Sequence, residues 1–132
     1  MSYSPLYVEF FHHFNVTEDY FECHEVLEAL WLETARDPFY QGLLQVAVCL
    51  YHHRNCNLGG ARKLMEAALT KLAPYGEPVY RGIHLGSLKT LARQYYDKLH
   101  SEGHDFTFSP FRIQVIDPEL RRLVQEFGVL KK

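Results

Sequence analysis

Residues 20–31 read YFECHEVLEALW, and the way this stretch winds decides the fold and nominates a site. Apolar residues recur in it at three- and four-residue intervals, the pattern of an amphipathic helix rather than the alternation of a strand. At about 100° per residue, Trp31 lies roughly 20° from His24, Tyr20 about 40° and Leu27 about 60° to one side. On the other side Glu28 lies at about 40°, Phe21 at about 60° and Leu32 at about 80°. This wheel puts His24 and Glu28 inside the apolar arc, Glu25 at its edge and Glu22 towards water. A carboxylate buried there alone costs several kcal/mol, so Glu28 requires a proton, a cation or several donors.

The next segment supplies partners. In RDPFYQG, Asp37 can cap and Pro38 can take the first position of a helix running to about Arg54. That helix is apolar almost all round, as central helices are, except for a stripe. Gln41, Cys49, His52 and Cys56 all fall within roughly 40° of Gln45. Two helices with polar groups on their buried faces point them at each other, so His24 and Glu28 are expected to meet Gln41, Gln45 and His52.

The rest of the chain reads as more helix. Ser4 and Pro5 start a first helix to about Phe14, and Asn15 or Thr17 caps the second, which covers Glu18 to about Thr34. Asn57 caps a fourth, whose inward face is Ala61, Leu64, Met65, Ala68, Leu69 and Leu72. APYGEPVYRG is a loop, a fifth helix runs from about Leu85 to Leu99, and Asp117 with Pro118 opens a last short helix closed by Gly128. Between them FTFSPFRIQVI is rich in aromatic and β-branched residues and is expected to be extended. With no other strand in the sequence to pair with, it should lie docked across the bundle. The fold class is therefore all-α: one domain over residues 1–132, a bundle of five to six helices with an extended C-terminal segment.

Bulk properties narrow the function. A net charge of −2 with scattered Lys and Arg leaves no footprint for a polyanion, so nucleic acid is not an expected partner. Three cysteines without CxxC spacing point to a reducing compartment. With no signal-like N-terminus and no apolar run long enough for a span, the protein is expected to be cytoplasmic and away from membranes. Phe10, Phe11, Phe14, Phe106, Phe108 and Phe111 come from the two ends of the chain and are expected to form a self-association surface for a homodimer. Adjacent His12 and His13, and His52 and His53, point about 100° apart, so at most one of each pair can join a site. His84, His100 and His104 are expected in solvent. Cys23 is a poor nucleophile, since nothing nearby would lower its pKa. P-loop, GxGxxG and GxSxG motifs are absent.

Two readings fit the polar stripe. In one, His24, Glu28 and His52 bind a divalent metal, Zn, Mn or Fe, with Glu25 as general base and Gln41 or Gln45 orienting a small-molecule substrate. HExxE departs from the HExxH of zinc proteases by placing Glu28 where the second histidine stands. In the other, the same groups form a buried network that fixes helix register, and the protein is a non-enzymatic interaction or ligand-binding module.

FNVTEDYFECHEVLEALW, followed by FYQGLLQVAVCLYHHRNCNLGGARKLMEAAL, resembles the domain-of-unknown-function family 309, with its FNxxxYFExHExLExxW, QGLxQxAxxxYH and NxxGAxxL patterns. The match covers about Phe14 to Leu72. The resemblance implies an all-α bundle and marks Tyr20, Glu22, His24, Glu25, Glu28, Trp31, Gln41, Gln45, His52 and Asn57 as motif positions. Members are sometimes described as predicted metal-dependent hydrolases, so it also implies that activity.

Overall fold

The computed structural model describes residues 3–130. Six α-helices follow one another among the described residues: α1 Pro5–His12, α2 Tyr20–Glu33, α3 Pro38–Arg54, α4 Leu58–Leu72, α5 Leu85–Ser101 and α6 Pro118–Leu130. α3 lies at the centre between α2 and α4, α1 packs on α2 and α6, and α5 packs on α4. Phe39, Leu43, Val46, Ala47 and Leu50 of α3 are fully buried, as its apolar circumference requires. Among the described residues, no helix is long and apolar enough to cross a membrane.

The helix starts follow from local chemistry. Ser4 Oγ accepts from the Leu6 N–H, Asp37 Oδ1 from Phe39 and Asn57 Oδ1 from Gly60, so each satisfies an orphan donor of the first turn. α2 differs from expectation. α1 stops at His12, and residues His13–Thr17 wind as a π-helical turn that ends with Glu18 left-handed at φ 54°. This wider turn carries the chain past Asn15 and Thr17, and Asp19 becomes the cap of α2 by accepting from the Glu22 N–H. Asn15 is spent elsewhere: its amide donates to the Ile113 carbonyl and accepts from the Ile113 N–H, both at 2.8 Å.

That bond anchors the extended tail, which also has a strand partner that the sequence reading missed. Val79–Tyr80 and Ile83–His84 pair antiparallel within the proline- and glycine-containing loop. Arg81 and Gly82 between them have φ of 47° and 85°, the two positive values of a type I′ hairpin turn. Ile83 bridges Val115, the His84 N–H donates to the Gln114 carbonyl, and the Gly82 carbonyl accepts from the Ile116 N–H. A strand of two residues is too short to show periodicity.

Three further expectations are corrected. Phe10, Phe11 and Phe14 are fully buried, Phe106 is buried and Phe108 and Phe111 pack against the core, with the Phe14 and Phe111 rings 6.0 Å apart. The aromatic ends of the chain thus pack on each other, and most of these rings are turned into the core. Gly128 does not close α6, which runs through it to Leu130; a Cβ there would come within 3.4 Å of the His12 ring, so the glycine allows a close approach. His84 is half-buried, not in solvent, because its Nδ1 caps α5 by accepting from Ser87.

Candidate functional site

The buried arc of α2 is Tyr20, Cys23, Val26, Leu27 and Leu30. It is centred about 100° from His24 on the helical wheel, so His24 and Trp31 fall at its rim. Glu28 and Glu25 each have 51% of their side chains exposed. The expected burial of Glu28 is therefore corrected. The error has a cause in the sequence: Phe21 and Leu32, 53% and 54% exposed, are apolar residues outside the core that widen the apparent arc.

What α2 and α3 do form is a crevice. The short link between them makes an antiparallel hairpin, and Tyr20, Phe21 and His24 meet Val48, Tyr51 and His52 around a half-open cavity of about 200 Å³. His24 and His52, predicted to share a site, share this one. His24 stands between two carboxylates, its Nδ1 3.5 Å from Glu25 and its Nε2 3.6 Å from Glu28. Glu28 sits one turn along from the cavity and does not line it.

His52 has a defined tautomer. Asn57 uses its Oδ1 to accept from Gly60, so its Nδ2 faces His52 Nδ1 at 3.3 Å and donates to it. The ring proton of His52 is thereby placed on Nε2, as a donor. Gly60 makes this cap close: a Cβ there would fall 2.7 Å from Asn57 Nδ2 and 3.0 Å from His52 Cγ.

Three buried polar atoms have no hydrogen-bond partner among the described residues: Tyr20 Oη, Trp31 Nε1 and Gln45 Oε1. Gln45 belongs to the polar stripe expected from the sequence and Tyr20 and Trp31 are motif positions of the family resemblance, and all three lie on the α2–α3 hairpin. Tyr20 lines the cavity, and burial pushes its hydroxyl pKa up, so it stays a donor. The Arg54 guanidinium covers its ring at 4.9 Å and the Arg36 guanidinium lies 5.5 Å from the Trp31 ring. Gln41 is half-buried at the far end of α3.

The remaining candidates are structural. His53 is buried, accepting at Nδ1 from the Tyr95 hydroxyl and donating from Nε2 to the Phe106 carbonyl, which ties α3 to α5 and the tail. Burial pushes the Cys49 thiol up to about 12 and the Cys23 thiol up as well, so neither supplies a thiolate.

Side chains that do converge closely were not predicted. Single ligand atoms of Glu9, His13 and Glu22 lie within 4.8 Å of one another, the one such group of three among the described residues. His24, Glu28 and His52 do not converge in that way. Glu22, expected in water, is instead half-buried against α1. The i,i+4 spacing of Glu9 and His13 was visible in the sequence; the π turn that delivers Glu22 to them was not.

Among curated proteins, the chain is similar to "Uncharacterized protein YpuF" of Bacillus subtilis (strain 168), 36% identical over 103 residues. That alignment takes in 75% of this chain, and the chain spans 59% of the relative's length. No solved structure matches. The family model described as "Domain of unknown function (DUF309)" matches residues 7–64, which take in most of α1, all of α2 and α3, the residues lining the crevice and the Glu9–His13–Glu22 cluster, so this part of the chain is similar to the DUF309 family.

Proposed function

We propose that the protein is a small-molecule-binding helical module, and that the α2–α3 crevice receives a compact, mainly apolar molecule carrying a hydrogen-bond acceptor. The observation that carries this reading is His52, which lines the cavity with its ring proton on Nε2 as a donor. Tyr20, Phe21, Val48 and Tyr51 supply mainly apolar walls around it. The net charge of −2 supports a small ligand over nucleic acid, and the cysteines support a reducing, cytoplasmic setting.

A second reading is the metal-dependent hydrolase, favoured by two imidazoles, His24 and His52, lining one cavity. Glu28 would be the third ligand, Glu25 the base, and Zn, Mn or Fe the metal. The Asn57 amide weighs against it. A histidine that binds metal through Nε2 donates from Nδ1 to an acceptor, whereas His52 Nδ1 faces a donor.

Benzoate and benzamide serve as probes, charged and neutral, in a ligand-observed NMR titration of the parent and of His52→Ala. Saturable binding that weakens about tenfold in His52→Ala is the expected result. Failure of both probes to bind the parent, together with Zn- or Mn-dependent ester hydrolysis that disappears in His52→Ala, would replace the binding module by the hydrolase.

A further inference from the structure

We infer that the α2–α3 crevice selects its ligand by charge: it takes a compact aromatic molecule bearing an ammonium group ahead of a neutral one of similar shape, and a neutral one ahead of a carboxylate. This rests on the crevice reading above and adds the ligand's charge to it.

The rim carries the argument. His24 lines the cavity, and each of its ring nitrogens faces one carboxylate, Nδ1 with Glu25 Oε1 at 3.5 Å and Nε2 with Glu28 Oε2 at 3.6 Å. Both carboxylates therefore stand one imidazole away from the space a ligand would fill. Among the described residues no lysine or arginine forms an ion pair with either of them. Two carboxylates set against at most one imidazolium leave the rim negative whichever form His24 takes.

The other charges nearby do not reverse that sign. His52 accepts from Asn57 at Nδ1, so it is neutral and offers its Nε2–H without a charge. Arg54 covers the Tyr20 ring at 4.9 Å, but its Nη1 donates to the Glu18 carbonyl, and the residue lines a different cavity with His53, Cys56 and Phe106. Helix dipoles cancel here, because the crevice sits where α2 begins at Tyr20 and α3 ends at Arg54, which places a positive and a negative helix end side by side. Side-chain charge is left to decide.

The walls work in the same direction. Phe21 and Tyr51, with ring centroids 6.3 Å apart, both line the cavity, and an aromatic face attracts an ammonium through its quadrupole. The two ends of such a ligand have separate places: His52 donates to its acceptor, and the ammonium lies towards Glu25 and Glu28. Both carboxylates are half-exposed, so screening keeps the preference modest, about fivefold per unit of ligand charge at low salt.

The test is a ligand-observed NMR titration with three probes built on one ring: 4-(aminomethyl)benzamide, benzamide and benzoate, each at low and at high salt. The parent should bind them in that order, with the steps shrinking as salt rises. In Glu25→Gln/Glu28→Gln the steps should fall below about twofold, while benzamide binds as it does to the parent. Glu77→Gln/Glu102→Gln removes the same net charge at exposed positions elsewhere and should keep the parent's order. No saturable binding of any probe would overturn the crevice reading and the selection with it. Benzamide binding accompanied by equal or tighter binding of benzoate would overturn the selection alone. So would an order that ignores salt, that survives in Glu25→Gln/Glu28→Gln, or that disappears in Glu77→Gln/Glu102→Gln.

Discussion

At the scale of single residues, the same chemical group does different work according to what its second atom touches. His24, His52, His53 and His13 are four imidazoles on three neighbouring helical segments. His53 is used up by Tyr95 and the Phe106 carbonyl, His52 is held as a donor by Asn57, and His13 has its Nε2 turned to Glu9. None of these assignments depends on the histidine itself. Glu28 shows the reverse error, in which a residue looks buried because its neighbours are apolar. With 51% of its side chain exposed and His24 at 3.6 Å, it belongs to a surface ion pair. Glu28→Gln should therefore change unfolding free energy by no more than about 1 kcal/mol in a urea titration. A loss of several kcal/mol would return Glu28 to the core.

At the scale of elements, the start of α4 governs the crevice on the far side of α3. Asn57 caps α4 with one end of its amide and fixes His52 with the other. Asn57→Ala should cost about 1 kcal/mol as a lost cap. It should also release the His52 ring, so that long-range ¹H–¹⁵N spectra change from a single Nε2–H tautomer in the parent to a mixture in the variant. A parent that already shows a mixture would remove His52 as a donor to the crevice. The π turn between α1 and α2 is the other controlling element. It bridges α1 and α2, brings Glu22 beside Glu9 and His13, and frees Asn15 for the tail.

For the whole molecule, the tail is what closes the core. Residues 106–116 cross from α5 back to the hairpin and to the π turn, burying Phe106 and Ile113 and seating Phe111 against Phe14. Asn15 satisfies both backbone groups of Ile113 from 98 residues away in sequence. Asn15→Ala should destabilise by about 1–3 kcal/mol, since two partly buried backbone groups lose their partners. Hydrogen exchange should rise first at Ile113 and its neighbours. Unchanged protection there would mean that the aromatic contacts hold the tail without the asparagine.

The sequence by itself determined the all-α class, the starts of α1, α3 and α4, and the residues of the α2–α3 seam. These depend on local rules: capping groups two or three positions from the donors they satisfy, proline at a first turn, and a 3.6-residue period. Tyr20, His24, Trp31, Gln45 and His52 were legible because a helical wheel needs no tertiary information to group them. The side of the wheel that faces the core was not legible, because Phe21 and Leu32 are as apolar as buried residues and differ from them only in what packs against them. Only the tertiary structure joined Glu9 and His13 to Glu22, Asn15 to Ile113 and Ile83 to Val115. Each of those meetings is decided by how one element is laid against another, through a π turn, a long return of the tail or a hairpin of two-residue strands, none of which leaves a period in the sequence.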